Sequence, residues 1–158
     1  MAGKYASTTG VTVDRSRAEV EQILSRYGAT MFMYGWDQDQ AMIQFEASGR
    51  RIRFLLPMPD REDPAFTMTP SGKQRRSDTE AHRAWEQGCR QRWRALVLVI
   101  KAKLEAVETG ISEFEAEFLA NVVLPNGVTV GDFMRPQIDA AYVGGQMPSG
   151  MHALGAGS

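Results

Sequence analysis

Arginine and lysine side chains at regular spacing are the groups in this sequence that could do chemistry. A guanidinium group donates two parallel hydrogen bonds to one phosphate, so ordered arginines are typical of a surface that binds nucleic acid or another polyanion. Nine basic residues occupy such positions on a predicted strand, at the end of a loop and along one predicted helix. They are Arg51, Arg53, Lys73, Arg75, Arg76, Arg83, Arg90, Arg94 and Lys101. The four on the helix fall within about 40° of one another at 100° per residue.

Charge is divided unevenly along the chain. Residues 50–103 hold 13 Lys/Arg against 6 Asp/Glu, residues 104–158 hold 1 against 7, and the whole chain has a formal net charge of −1. Two interpretations stay open. Either the basic middle meets a polyanion, or the two regions neutralise each other within one subunit or between subunits.

Aromatic side chains offer a second contribution to nucleic-acid binding. Phe32, Tyr34 and Trp36 alternate along a predicted strand and therefore share one of its faces. If this is the face of Arg51 and Arg53, the rings can stack on bases beside the charges that bind phosphates. If it is the opposite face, the rings belong to the core, which is the commoner position for large aromatic side chains.

Patterns typical of catalysis or metal binding are absent from the sequence. His82 and His152 lie in different predicted elements, and no glycine-rich phosphate-binding motif occurs. Cys89, the only cysteine, lies between Trp85 and Trp93 on an apolar helix face, so we predict a core residue rather than a nucleophile. We predict no catalytic residue, metal or cofactor, and a metal-dependent nuclease is the least favoured class.

The elements that must position these residues indicate an α+β fold. Residues 30–36, 41–47 and 51–56 read as strands with short turns between them, which predicts an antiparallel meander. Ser77 and Glu80 form a capping box, and apolar residues then recur every three or four positions until Gly110. We expect the three-stranded meander to pack on this long amphipathic helix. Short flanking helices are predicted from capping boxes at Ser16 and Ser112, and near Asp132.

The chain divides into one domain and two ends. We predict a flexible lead-in over residues 1–12, a single α+β domain over 13–143 and a flexible or partner-dependent tail over 144–158. Residues 57–76 contain four prolines and no periodicity, so we expect a functional or mobile loop there. Because no apolar run has the length of a membrane span or signal peptide, we expect a cytoplasmic protein without a membrane partner.

Five stretches of sequence are distinctive as strings: RYGAT at 26–30, FMYGW at 32–36, RFLLPMPD at 53–60, RWRAL at 92–96 and KAKLEAV at 101–107. Together they resemble a family of small uncharacterised proteins of bacteriophages and prophages, over residues 11–148. The resemblance implies a phage origin and the cytoplasm of a bacterial host, and nothing about mechanism. The order of three strands and a long helix is also similar to the core of phage single-strand annealing proteins.

Two classes of function follow from these observations. The first is a non-enzymatic, phage-encoded nucleic-acid-binding protein, favouring single-stranded DNA and acting in recombination or replication. The second is a phage anti-defence protein that binds a host protein or sequesters a nucleotide signal. An anionic nucleotide would also need arginines, so charge alone cannot separate these classes. The observation that separates them is whether the arginines line an open groove, a closed pocket or an interface covered by another protein.

Self-association is a further expectation. Val97 and Leu98 extend the apolar surface around the middle of the long helix, beyond what three strands can cover. The acidic last third also complements the basic middle of a neighbouring subunit. We therefore predict a homo-oligomer with head-to-tail contacts.

Overall fold

The structure is a computed structural model that describes the backbone of residues 2–147 and the side chains of residues 13–147. Helix α1 spans Ala2–Arg26, and three strands follow as β1 (Met31–Trp36), β2 (Gln40–Ala47) and β3 (Arg50–Pro57). A short helix α2 (Pro64–Thr67) precedes the long helix α3 (Asp78–Glu108). The chain continues with α4 (Phe114–Glu117), a 3-10 turn at Leu119–Asn121 and helix α5 (Val130–Gly144). The predicted α+β fold is confirmed.

The three strands form an antiparallel sheet in the order β1-β2-β3. Asp37 Oδ1 accepts hydrogen bonds from the main-chain nitrogens of Asp39 and Gln40, which closes the first turn. Ser48 and Gly49 have φ values of 52° and 72°, as a two-residue hairpin turn with a right-handed twist requires. The meander therefore follows from local turn chemistry.

One face of the sheet packs on α1 and α3 and forms the core. Ile43, Phe45 and Ile52 are fully buried there against Trp93 and Ile100 of α3. Helix α3 has the predicted position and length, with 31 residues, and the Ser77 hydroxyl accepts a hydrogen bond from the Glu80 main-chain nitrogen at its start. The buried residues of α3 recur at three- and four-residue steps, so they lie on one side of the helix, and this side faces the core.

Helix α1 differs from the sequence prediction. It begins at Ala2, and Ser16 is buried inside it, so the predicted start at Ser16 is wrong. Val13, Ser16 and Val20 are spaced by three and four residues and face the core, which extends the buried side upstream of the capping-box pattern. The side chains of residues 1–12 lie outside the described part, so the flexibility of this segment stays a prediction.

The end of α1 is tied to the end of α3. The Tyr27 hydroxyl donates a hydrogen bond of 2.6 Å to Glu108 Oε2. This bond to a carboxylate, together with burial, raises the pKa of Tyr27 to about 12.

The segment after α3 also differs from its prediction. The helix expected from Ser112 is reduced to the four residues of α4, without a side-chain cap. Val122 instead pairs with Ile52 at the free edge of β3, which requires extended backbone there. Thr129 caps the start of α5, because its hydroxyl accepts a hydrogen bond from the Asp132 main-chain nitrogen, and Gly145 caps its end in the left-handed conformation. Of the predicted tail, residues 148–158 lie outside the described part.

Candidate anion-binding pocket

The two arginines of the sheet are held by neighbours in the same chain. Arg51 lies 2.8 Å from Glu46 Oε1 on the adjacent strand. Arg53 donates one hydrogen bond to Gln44 Oε1 at 3.0 Å and another to the main-chain oxygen of Gly127 at 2.9 Å. Both guanidinium groups therefore already have partners on the outer face of the sheet.

The aromatic residues of β1 lie on the other face. Phe32, Tyr34 and Trp36 pair in register with residues of β2 that are all buried. Phe32 and Tyr34 pack against the core, and the Tyr34 ring centroid is 5.5 Å from that of Trp93. Trp36 is half-exposed at the end of the strand. The rings therefore lie on the face opposite the sheet arginines, which is the second of the two alternatives that the sequence left open.

The basic residues of α3 form the predicted stripe, with different surroundings at its two ends. Arg83 and Arg94 are exposed, and among the described residues neither has a hydrogen-bond or ion-pair partner. Arg90 donates to Gln87 Oε1 on its own helix at 2.7 Å. Lys101 forms an ion pair with Glu19 of α1, so the last member of the stripe contributes to the contact between the two helices.

A third group of basic residues converges on a cavity between the proline-rich loop and the start of α3. The cavity has a volume of about 260 Å³, and Arg61, Arg75 and Arg76 line it together with His82 and Trp85. Arg75 and Arg76 come from the predicted basic run, whereas Lys73 of that run is exposed outside the lining. The cavity also receives two carboxylates, those of Glu62 and Asp78.

The proline-rich loop is an ordered element that brings distant arginines together. Asp63 caps α2 by accepting a hydrogen bond from the Ala65 main-chain nitrogen at 2.8 Å. Met68 and Arg75 then pair as an isolated antiparallel bridge, and the Arg76 nitrogen donates to the Thr67 oxygen at 2.8 Å. The returning chain thus brings Arg75 and Arg76 to the cavity that Arg61 also lines.

Close contact between the loop and α3 depends on Gly88. A Cβ atom at this position would lie 2.9 Å from two ring atoms of Phe66 in α2. Glycine lets the Phe66 ring lie directly on the helix, whereas any Cβ atom would require the end of the ring to shift. This contact brings α2, and the loop that carries it, close against α3.

Trp85 forms a wall of the cavity and joins its two sides. Its Nε1 atom donates a hydrogen bond of 2.8 Å to the main-chain oxygen of Pro59. The Arg61 guanidinium carbon lies 4.1 Å from the centroid of the Trp85 ring, and the His82 ring centroid lies at 5.8 Å. Stacking on an aromatic face restricts a guanidinium group to one plane.

A buried carboxylate lies behind His82. Glu86 is 5% exposed, and its Oε1 atom lies 2.7 Å from His82 Nε2. The angles of this contact do not fit a hydrogen bond, so Oε1 has no hydrogen-bond donor among the described residues.

The cavity and the α3 stripe occupy different sides of the helix. At 100° per residue, the positions of Ala81 and Trp85 lie about 160° from the stripe and that of His82 about 100°. The sheet arginines form a third location. Eight of the nine predicted residues are therefore distributed over three surfaces, with Lys73 outside them. At the cavity, Arg75 and Arg76 join Arg61 on a concave surface.

Sequence reasoning missed Arg61, His82 and Glu86. His82 and Glu86 are four residues apart on α3, a spacing that the sequence displays and that places two side chains together on a helix. No comparable signal identified Arg61, because the loop that carries it has no periodic pattern.

Cys89 is a core residue, as predicted, with no exposed surface. Its burial raises the pKa of the thiol to about 11, so it is a poor nucleophile. Within the described range, no three side chains are grouped as a metal site would need. None of the helices in that range combines the length and apolarity required to cross a bilayer.

Comparisons with known proteins identify no relative. The chain matches no protein-family model, no curated protein and no solved structure. The resemblance to phage proteins therefore stays a prediction.

Proposed function

We propose that this protein is a non-enzymatic binding protein for a phosphorylated ligand of the nucleotide class. The observation that carries the proposal is the convergence of Arg61, Arg75 and Arg76 on one cavity. Hydrogen bonds between guanidinium groups and phosphate oxygens are about twice as strong as those between neutral groups. Three guanidinium groups that line one cavity can hold one phosphate from more than one direction.

The two carboxylates of the cavity favour a nucleotide over a simple polyanion. Glu62 and Asp78 would repel additional phosphate groups, but they can accept hydrogen bonds from ribose hydroxyls or base amino groups. A nucleotide carries both kinds of group, a negative phosphate and several neutral donors. The mixed lining therefore fits a ligand that is anionic at one end.

The volume of the cavity favours a small ligand over a long one. At about 260 Å³ it is slightly below the roughly 300–1,000 Å³ typical of ligand sites, so it can enclose the phosphate end of a mononucleotide. A strand of nucleic acid needs an open groove that follows its backbone. For a phage-encoded protein in a bacterial cytoplasm, the corresponding role would be the sequestration of a nucleotide signal.

Isothermal titration calorimetry with a panel of nucleotides tests this proposal. The panel contains mononucleotides, cyclic nucleotides, inorganic phosphate and an oligonucleotide with or without a 5′-phosphate. We expect one nucleotide class to bind at one site per chain. The double substitution Arg75→Gln and Arg76→Gln should weaken its binding at least about tenfold, since a hydrogen bond to a charged group contributes about 1.5–3 kcal/mol.

The matched control is the pair Arg90→Gln and Arg94→Gln, which removes the same charge from the stripe of α3. It should leave the affinity within about twofold, apart from the small effect of net charge. The proposal fails if no nucleotide binds, or if the two double variants lose the same affinity.

Binding of single-stranded nucleic acid along α3 is a second candidate. The specific observation in its favour is the exposure of Arg83 and Arg94 without a partner among the described residues. Such binding would weaken steeply with salt, because each neutralised phosphate releases counterions. In this case the Arg90 and Arg94 pair would carry the loss, and the role would lie in recombination or replication.

A further inference from the structure

Trp85 is the largest aromatic side chain in the lining of the cavity, but its ring is not open to a nucleobase. The residue is 4% exposed. The Arg61 guanidinium carbon lies 4.1 Å from its ring centroid, and the His82 ring centroid lies at 5.8 Å. The indole nitrogen is bonded to the Pro59 oxygen. Because a base stacks only on an open ring face, the cavity cannot hold a ligand by stacking its base on this indole.

The lining also has few groups suited to reading the edge of a base. Proteins distinguish bases by hydrogen bonds to their edges, for which the amide groups of asparagine and glutamine are well suited. None of the described residues that line the cavity is an asparagine or a glutamine. The Thr67 hydroxyl donates to the Asp63 main-chain oxygen at 3.4 Å, and His82 Nε2 lies 2.7 Å from Glu86 Oε1. The charged side chains therefore remain as the main groups that a ligand can meet.

The charged side chains of the lining are not paired with one another. Within the described part of the chain, the carboxylates of Glu62 and Asp78 form no ion pair and accept no hydrogen bond. The Arg75 guanidinium has no partner in that part either, and Arg76 donates one bond of 3.5 Å to the Phe66 main-chain oxygen. Positive and negative groups thus stand apart in one cavity, and a ligand can use both.

We infer that the cavity binds the sugar–phosphate end of its ligand and accepts any base, an inference that rests on the proposed function. The arginines bind the phosphate, and Glu62 and Asp78 accept hydrogen bonds from the ribose hydroxyls. At about 260 Å³ the cavity is smaller than ligand sites generally are, so the base extends from its mouth into solvent. The expected ligands are ribose 5-phosphates as a class.

Isothermal titration calorimetry with matched ligands tests the inference. The set contains the 5′-monophosphates of adenosine, guanosine, cytidine and uridine, together with ribose 5-phosphate and 2′-deoxyadenosine 5′-monophosphate. We expect the ribose ligands, with or without a base, to bind within about threefold of one another. The deoxyribose ligand should bind about tenfold more weakly than its ribose counterpart, because it lacks one hydroxyl that donates to a carboxylate.

The double substitution Glu62→Ala and Asp78→Ala separates hydrogen bonding from charge. The adenosine and deoxyadenosine ligands carry the same charge, so the ratio of their affinities does not respond to the net charge of the protein. This ratio should fall to about one in the double variant. The matched control is Glu80→Ala with Asp139→Ala, which removes two exposed carboxylates outside the lining and should keep the ratio. Circular dichroism and the melting temperature check that both variants fold.

A preference of more than about tenfold for one base would overturn the inference and leave the proposed function standing. Guanine is the strongest competitor, because its N2 amino group can donate to a carboxylate while O6 and N7 accept from an arginine. Equal affinities for the ribose and deoxyribose ligands, or a ratio that persists in the cavity variant, would overturn it as well. If no ligand of this set binds, the inference fails, and the wider nucleotide panel decides separately on the proposed function.

Discussion

The indole nitrogen of Trp85 donates a 2.8 Å hydrogen bond to the main-chain oxygen of Pro59, and this bond joins the proline-rich loop to α3. The loop has few apolar side chains with which to pack on the helix. A single directed bond beside the Arg61 stacking contact therefore has a large influence on the shape of the cavity.

Replacing Trp85 with phenylalanine removes this bond and keeps an aromatic ring under Arg61. Because the Pro59 oxygen is partly buried, we expect a loss of about 1 kcal/mol in the free energy of unfolding. Nucleotide affinity should fall as well, since the loop is less firmly placed. Chemical denaturation and calorimetry measure the two effects. Tyr142→Phe, which removes one hydroxyl from an 87% exposed ring, should change neither.

Gly88→Ala separates the stability of α3 from the shape of the cavity. Alanine favours a helix over glycine by about 1 kcal/mol, but its methyl group would lie 2.9 Å from the Phe66 ring. The end of a phenylalanine ring can move, so we expect little net change in melting temperature together with weaker nucleotide binding. Unchanged affinity in this variant would show that the Phe66 contact does not position the loop arginines.

Trp93 anchors the core between α3 and the sheet. It is 2% exposed, and its ring centroid lies 5.5 Å from that of Tyr34. Trp93→Ala should lower the free energy of unfolding by about 3–5 kcal/mol, measured by chemical denaturation. The 84% exposed Ile111 provides a contrast, because Ile111→Ala should cost less than about 0.5 kcal/mol. Similar costs for both variants would contradict the assigned core.

Cys89 should make stability depend on pH at the alkaline end. The thiol has a pKa of about 11 in the folded chain against 9.0 ordinarily, so the unfolded chain loses this proton first as pH rises. The contribution of the protonated thiol to the free energy of unfolding is therefore fully present below pH 9 and is lost as the pH rises through about 11. Cys89→Ala should show a smaller decline over this window in denaturation curves. A thiol reagent at pH 8 should label native wild-type protein far more slowly than unfolded protein.

The fold could be predicted from the sequence to the extent that local patterns determine it. The alternation of Ile43 and Phe45 with Gln44 and Glu46 sets the inward face of β2, and the periodic residues of α3 set its buried side. The start of α1 could not be predicted in the same way, because the capping-box pattern at Ser16 is overridden by core contacts of Val13 and Val20. Tertiary packing decided that boundary.

The candidate site was less predictable than the fold. The sequence identified Arg75 and Arg76 as basic residues, but their meeting with Arg61 and His82 depends on the return of the loop between Thr67 and Arg76. That return rests on main-chain hydrogen bonds and on the Phe66 contact with Gly88, which have no periodic signature. Conversely, the sequence identified Arg53 of the sheet as a basic residue, but its hydrogen bonds to Gln44 and Gly127 could not be predicted from the sequence.

The most direct test of the central claim is two-dimensional nitrogen–proton NMR of the chain during titration with the nucleotide that binds. The chain has 3 tryptophans, so the indole signal of Trp85 can be assigned by comparison with the Trp85→Phe variant. Binding in the cavity predicts shifts in this indole signal and in the backbone amides of Arg61, Arg75 and Arg76, with little change at Arg94. Shifts confined to the α3 stripe, or an unchanged Trp85 signal at saturating nucleotide, would contradict the claim.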